Sequence, residues 1–478
     1  MSNAAIARAL LGALLMLGFI SASRAAEVVA FVGVNVVPMD ADRVLADQTV
    51  VVRDGRIAAL GDRGAVVVPR GATRVDGRGR YLLPGLADLH AHVGGYDASA
   101  SPEASAILRS ELLLYVATGV TLIRNMAGGP KHLEYRRRVA SGEVLGPRIF
   151  TATNVVDGPN AVWSFAIRMA EPAEAEALVE GFVRDGYDQI KVYNELPRAA
   201  YAALLDAAAR SGIRVVGHVP FSVGIDSALA AGQYSIEHQR GYDFDGVRPQ
   251  ALVRDGGRNA ERFGSWTRMS DERMRDLVRK TVAGGTWNTP TFVIDEMLYD
   301  AERRQALASH PSARYVHPAV RAAIAKNQLD AIFSAESKAA LRESMPAKYR
   351  MVKMLDDADA GLLTGTDTMV PYLIPGFTPI DELEHFVRAG MTPYRALRAA
   401  TINPAQFLGI GSEAGTVAVG KRADLLLVDA NPLEDVANLW KRSGVMVAGR
   451  WLPEAELRRL LEELAATYPA AAPDTPAR

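Results

Sequence analysis

Between residues 81 and about 405 the chain alternates short apolar runs with longer helix-like stretches, and it does so eight times. The runs that read as strands are Leu82 to Leu89, Val120 to Asn125, Arg148 to Ala152, Gln189 to Tyr193, Arg214 to His218, Ser235 to His238, Trp287 to Val293 and Leu362 to Asp367. Stretches such as Glu171 to Asp185 and Arg198 to Ser211 carry helical spacing, and a helix between successive strands is the connection that parallel strands require. Eight is the strand count of a closed (β/α)8, TIM-like barrel, a fold whose active sites lie at the C-terminal ends of the strands. The expected class is therefore α/β.

A second pattern lies on top of the first. His90 and His92 end the first run at i and i+2, so both point to one face of a strand and can reach one ion. Each of four later runs ends in one more candidate ligand: Lys191, His218, His238 and Asp367. Four imidazoles, a carboxylate and a lysine exceed what one ion needs, which suggests two. Lysine is an ammonium near neutral pH, with a reference pKa of about 10.4, and so has no lone pair to offer. Reaction with carbon dioxide would turn Lys191 into a carbamate, a carboxylate-like bridge; otherwise it is a salt-bridged lysine. Tyr193 follows Lys191 by two and shares its face of the strand. It is expected to bind a substrate carbonyl oxygen or carboxylate, or else to fill the core. Arg124, at the end of the second run, meets a substrate carboxylate or makes an internal salt bridge. Trp163 and Asn160 either shape the pocket or lie in a surface loop. His132, His310, His317 and His385 fall away from strand ends and read as solvated or capping residues.

The flanks differ from the centre. Val28 to Val32, Thr49 to Arg53 and Arg56 to Leu60 read as strands, with Asp54-Gly55 as a hairpin signal. The same style returns at Gly415 to Val419, Leu425 to Asp429 and Val445 to Arg450, so the two separated segments are expected to build one small β-sandwich domain. Residues 1–26 have the layout of a cleaved signal peptide: Arg8, an apolar stretch from Ala9 to Ile20, and small residues at Ser23 and Ala25. Its removal leaves 52 basic and 55 acidic residues, a net charge of −3. That near balance, without a long basic run, gives no sign of a nucleic-acid or membrane-surface partner and leaves a small molecule or short peptide as the expected one. With 0 cysteines the chain can form neither disulfide nor thiolate site, so a metal must use imidazole and oxygen ligands. Export without disulfides suits a periplasmic or secreted enzyme. The expected division is 1–26 leader, 27–80 β-sandwich, 81–405 barrel, 406–460 the rest of the sandwich with a C-terminal helix, and 461–478 helix end and flexible tail. Within the barrel the long charged interval from Glu296 to Asp359 is the candidate lid. Homo-oligomerisation is left open.

Pro84-Gly85-Leu86-Ala87-Asp88-Leu89-His90-Ala91-His92, Gly119-Val120-Thr121-Leu122-Ile123-Arg124, Ile190-Lys191-Val192, Gly217-His218, Glu237-His238, Thr364-Gly365-Thr366-Asp367, Ala400-Thr401-Ile402-Asn403-Pro404-Ala405 and Gly420-Lys421-Arg422-Ala423-Asp424-Leu425 stand in this order over nearly the whole chain after the leader. Together they resemble the amidohydrolase superfamily, in its binuclear subtype with a carbamylated lysine, and most of all the branch with imidazolonepropionase-like and prolidase-like proteins. The resemblance implies that His90, His92 and Asp367 hold one divalent ion, zinc being the best fit to the donors. It implies that His218 and His238 hold the other, that carbamylated Lys191 and a hydroxide bridge them, and that Asp367 moves the proton. The implied reaction is hydrolysis of an amide or peptide bond, as in a dipeptidase, carboxypeptidase or N-acyl amino acid hydrolase. The alternative on the same scaffold is a cyclic amide, lactone or organophosphate ester. Two departures stand out: family members commonly carry Arg-Asp where this chain has Arg124-Asn125, and Asn154 to Trp163 lacks the histidine that several peptidase-like relatives show there.

Overall fold

The structure is a computed structural model and describes residues 28–94, 101–245, 259–325, 333–368 and 372–468. The expected leader and the tail from residue 469 lie outside the described residues.

The N-terminal segment forms β1 (Val29–Val36), β2 (Leu45–Arg53), β3 (Arg56–Asp62), β4 (Thr73–Asp76) and β5 (Tyr81–Pro84). Asp54 and Gly55 both adopt positive φ, 51° and 73°, between the paired residues Arg53 and Arg56, which is the geometry of a tight two-residue hairpin. After the central part of the chain come β15 (Leu425–Val428), β16 (Arg442–Val447) and β17 (Arg450–Pro453). All eight strands belong to one sheet, in the order β17-β16-β15-β5-β1-β2-β3 with β4 beside β1. The seam between the two chain segments is the antiparallel pairing of β15 with β5, from Leu425 opposite Pro84 to Val428 opposite Tyr81. Phe31, Leu82, Leu425, Leu427 and Met446 are buried in one cluster on this sheet, and Trp451 packs edge-on against Phe31 at 5.0 Å. Each such large apolar side chain contributes about 1.5–3 kcal/mol on burial, which is what holds segments so distant in sequence together. Two expected strands are corrected. Gly415 to Val419 is turn and bend, and Val445 to Arg450 is the end of β16 and the start of β17, reversed at Ala448 and Gly449 with φ of 50° and 82°.

The central part carries β6 (Leu86–Ala91), β7 (Val120–Asn125), β8 (Arg148–Thr151), β9 (Val156–Asp157), β10 (Ile167–Arg168), β11 (Gln189–Val192), β12 (Arg214–Gly217), β13 (Ser235–Glu237) and β14 (Trp287–Thr289). They form parallel sheets ordered β6-β7-β8 and β10-β9-β11-β12-β13-β14. A bridge between Ala152 and Gln189 links the two sheets on one side. On the other, residues 362–368 lie between β14 and β6: Leu363 N–H donates to Asn288 O at 2.9 Å and Leu89 N–H to Thr364 O at 2.8 Å. This last run was expected to be a regular strand but makes only isolated bridges. Gly365 lies flush on Thr289 and His90, where a Cβ would come within 2.4 Å, and the backbone turns to positive φ at Asp367. Two other expected strands are also reshaped. Leu82 to Leu89 is divided at Gly85 between the mixed sheet and β6, because a Cβ there would strike Thr121 at 2.2 Å. Trp287 to Val293 ends at Thr289, and a helix begins at Phe292 because Glu382 accepts the Phe292 and Val293 N–H groups at 3.0 Å.

The crossover helices follow their capping chemistry. Pro102–Ala117 starts with Ser101 accepting Ala104 N–H at 3.1 Å and proline in its first turn. Ala175–Asp185 and Arg198–Ser211 stop at Gly186 and Gly212 in left-handed conformation. Helix Ala335–Asp357, in the interval expected to be a lid, lies against the turn after β13, with Lys348 O accepting from Gln239 at 3.4 Å and its ammonium paired with Asp295.

Candidate metal centre

Each candidate ligand sits on or just past the C-terminal end of a parallel strand or run: His90 in β6 and His92 beyond it, Lys191 in β11, His218 after β12, His238 after β13 and Asp367 near the end of residues 362–368. His92 Nε2 lies 2.8 Å and His90 Nε2 3.3 Å from Asp367 Oδ1, and His238 Nε2 lies 3.8 Å from Oδ2. Lys191 Nζ is 3.2 Å from His90 Nε2. The rings of His90 and His238 are 4.4 Å apart and those of His218 and His238 5.1 Å. All six expected ligands are therefore gathered at one mouth, and among the described residues His90, His92 and Asp367 form a group of metal-capable donors. His238 and Asp367 both take positive φ, 59° and 58°, a backbone state that non-glycine residues adopt at a cost of order 1–3 kcal/mol and that clusters at functional sites. It turns each side chain off its strand and into the mouth. Gly217 is needed next door, since a Cβ there would lie 2.4 Å from Val192 O and 3.2 Å from Lys191 Cγ.

The far nitrogen of three imidazoles is tied back. His90 Nδ1 bonds to Glu237 at 2.8 Å, His218 Nδ1 to Asn194 Oδ1 at 2.8 Å and His238 Nδ1 to Thr291 Oγ1 at 2.6 Å. A carboxylate and an amide oxygen only accept, and Thr291 gives its own hydroxyl proton to Pro290 O at 2.8 Å, so each Nδ1 is the donor. Every one of these rings then offers an Nε2 lone pair toward the centre, the arrangement by which proteins orient metal-binding histidines. Burial pushes His92 down to about 4 and His218 and His238 well below the usual imidazole range, which keeps them neutral. Burial also lowers Lys191 to about 8. Burial alone would raise Asp367, but the neighbouring His238 and His90 outweigh it and hold the carboxyl ionised, well below its ordinary value. Neutral imidazoles facing a carboxylate are the donor set of a divalent transition ion.

Residues that strand patterning did not single out hold these ligands. Glu237, 0 % exposed, bonds to His90 and receives Arg124 Nη2 at 2.9 and 3.0 Å. Asp88, also buried, accepts the N–H groups of His90 and Thr366 at 3.1 Å and the Thr366 hydroxyl at 2.7 Å, tying the first ligand-bearing segment to the last. Both are acids inside apolar strands, a signal visible in the sequence. Asn194 and Thr291 carry no such signal. Arg124 does not reach the mouth to meet a substrate carboxylate: it is fully buried, and its donors go to Leu89 O, Gln189, Ser235 and Glu237. Tyr193 stacks on His218 at 4.3 Å. Burial raises its hydroxyl, opposed by a hydrogen bond from Trp163, so the phenol keeps its proton at neutral pH. Trp163, 36 % exposed, stacks on Phe165 at 5.4 Å. Three of the other histidines act as caps or backbone ties: His132 accepts Gly129 N–H at 2.9 Å, His310 accepts Ser312 N–H at 3.2 Å and His317 accepts Ala319 N–H at 3.3 Å. His385 is neither solvated nor a cap; it is buried against the Tyr349 hydroxyl at 2.7 Å.

Comparison with known proteins agrees with this geometry. Ochratoxinase of Aspergillus niger is 22% identical over 449 residues, covering 82% of this chain and 79% of that protein. Enamidase of Eubacterium barkeri is 35% identical over 99 residues, 21% of this chain and 24% of that protein. Among solved structures, a bottromycin amidohydrolase has a TM-score of 0.70 at 26% identity, covering 94% of both chains. A Xaa-Pro dipeptidase with methionine bound in its active site has a TM-score of 0.67 at 22% identity, covering 89% of this chain and 100% of that one, a likeness of fold. Residues 81–452 match the model of the Amidohydrolase family. That match takes in all six residues gathered at the mouth, and the chain belongs to the amidohydrolase family, hydrolases acting on C–N bonds.

Proposed function

We propose that the chain is a binuclear metal-dependent amidase of the peptidase type, with the eight strands closed into a (β/α)8 barrel through residues 362–368. His90, His92 and Asp367 would hold one divalent ion, His218 and His238 a second, and Lys191 as its carbamate would join them. Zinc suits these nitrogen and oxygen donors. The observation that carries the reading is the convergence of His90, His92 and His238 on Asp367, with Lys191 against His90 and the His218 ring against His238. Two bound cations would supply the lowered pKa of a water and the polarisation of a carbonyl.

The protein's own groups do the rest. Asp367, ionised and tied to His90 and His92, takes a proton from the attacking water on a carboxylate oxygen and returns it to the leaving nitrogen. The Tyr193 hydroxyl, protonated and beside His218, donates to the carbonyl oxygen of the scissile amide. Glu237, Asn194 and Thr291 keep the imidazoles in the one tautomer that leaves Nε2 free. The neighbouring ochratoxinase, dipeptidase and bottromycin amidohydrolase support an amide or peptide bond as the target. The leader-like first residues support export to the periplasm or beyond.

The test is metal content per chain for wild type and Lys191→Ala, with hydrolysis of dipeptides, N-acyl amino acids, lactones and phosphotriesters measured side by side. About two ions falling to one or none in the variant, with amide cleavage, bear the proposal out. A single ion indifferent to Lys191, or activity confined to esters, overturns it.

A further inference from the structure

Arg240 stands two residues after His238, on the turn that presents that ligand, and its backbone N–H donates to Glu237 O at 2.9 Å. The rings of His238, His218 and Tyr193 follow one another along this half of the mouth, at 5.1 and 4.3 Å, and the charge of Arg240 is felt by all three. The side chain is 17 % exposed. Nη1 donates to Asp243 at 3.0 Å, while Nε is buried with no hydrogen-bond partner among the described residues. Asp243 does not neutralise Arg240 alone, because the same carboxylate oxygen also faces Arg262 Nε at 3.4 Å. The other acid on this rim, Asp295, is taken by Lys348. Among the described residues of this rim, Arg240, Arg262 and Lys348 thus face Asp243 and Asp295, and one positive charge is left over. Across Tyr193 the rim carries apolar side chains, with Val162 59 % exposed and Trp163 stacked on Phe165.

We propose that Arg240 is a specificity-determining residue whose guanidinium receives a carboxylate of the substrate. The amide that this enzyme cleaves then carries a free carboxylate on its leaving amino acid and an apolar acyl group on the Trp163 side, as in an N-acyl amino acid or a peptide with a free C-terminus. This rests on the hydrolytic reading above and narrows its substrate class. Arginine suits the task because its planar fork pairs with a carboxylate through two parallel hydrogen bonds, and such charge-assisted bonds are the strong ones where water is thinned out. A buried donor without a partner also disfavours an occupant that offers no acceptor there, and a carboxylate, accepting through two charged oxygens, answers the guanidinium better than a neutral carbonyl does.

The experiment compares kcat/KM on matched pairs, an N-acyl amino acid with a free carboxylate and the same compound as its C-terminal amide, for wild type, Arg240→Ala and Arg240→Lys. Wild type is expected to favour the free acid. The ratio of acid to amide should fall about 10- to 100-fold in Arg240→Ala, chiefly through KM of the acid, and Arg240→Lys should keep part of it. Metal content and circular dichroism of the variants exclude a folding defect. A ratio near one in wild type, or a loss in Arg240→Ala that is equal for both members of a pair, overturns the assignment of Arg240 while leaving amide hydrolysis intact. Cleavage of neither member of any pair, with lactones or phosphotriesters turned over instead, overturns the hydrolytic reading and this inference together.

Discussion

Replacing Glu237 by glutamine tests whether the buried acid beneath the centre is what holds His90 and Arg124 in place. Glu237 and Arg124 are both fully buried, and Glu237 accepts from Arg124 Nη2 at 2.9 and 3.0 Å, from Ser235 at 2.5 Å and from His90 Nδ1 at 2.8 Å. Glutamine keeps the shape but removes the charge, and it replaces one acceptor by a donor facing a guanidinium. Arg124 retains neutral partners in Leu89 O, Gln189 and Ser235, none of which compensates its charge. Breaking one side of a buried ion pair costs about 3–5 kcal/mol. For roughly 440 residues unfolding together, at about 2.1 cal/mol/K per residue, the melting point of the metal-stripped protein should fall by about 3–5 °C. The metal-free form is the one to scan, since bound ions add stability by mass action. In the loaded protein, loss of the His90 orientation should weaken metal binding about 10- to 100-fold. Differential scanning calorimetry and metal titration read the two effects separately. The double variant Arg124→Met with Glu237→Gln removes the stranded cation and should recover part of the lost stability without recovering metal affinity. A Glu237→Gln protein as stable as wild type, or a double variant no more stable than the single one, refutes the reasoning.

Further expectations follow from the same geometry. Tyr193→Phe should reduce kcat with metal content unchanged, as elemental analysis and steady-state kinetics will show; unchanged kinetics would remove the hydroxyl from the reaction. Asp367→Asn should lower kcat by about 10²- to 10⁴-fold, the range of a lost general acid–base group, and should also weaken one ion site. Gly217→Ala should destabilise the fold by about 1–3 kcal/mol or more in urea titrations, because φ of 120° and the 2.4 Å approach to Val192 O both oppose a Cβ. Glu111 is buried with one oxygen on Gly94 N–H, and burial pushes its carboxyl up to about 8. A carboxyl whose pKa rises on folding holds its proton more tightly in the fold, so stability declines as pH rises from about 4.5, its unfolded value, to about 8. Glu111→Gln should flatten that decline, which amounts to at most about 1.4 kcal/mol per pH unit in thermal scans across the window; an unaltered pH profile would locate the titration elsewhere.

What the sequence determined by itself is the set of ligand types and the side of the fold on which they gather. The period of two along Leu86 to His92 sends His90 and His92 to one face, and alternation with helices forces the strands parallel, so residues at successive strand ends share a mouth. Those are local and topological rules, and they carried His90, His92, Lys191, His218, His238 and Asp367 to within reach of one another. Tertiary structure alone decided the rest. Whether Arg124 at the end of β7 meets a substrate or an internal acid depends on Glu237, 113 residues away, lying within 3 Å of its guanidinium. Where Leu82 to Leu89 divides between two sheets depends on the close approach of Gly85 to Thr121 and on the pairing of β5 with β15 from the far end of the chain. The tautomers of three histidines depend on acceptors brought by other segments, Glu237, Asn194 and Thr291. Periodicity reports which way a side chain leaves its own strand; which partner it finds there is set by packing between segments that the sequence order does not relate.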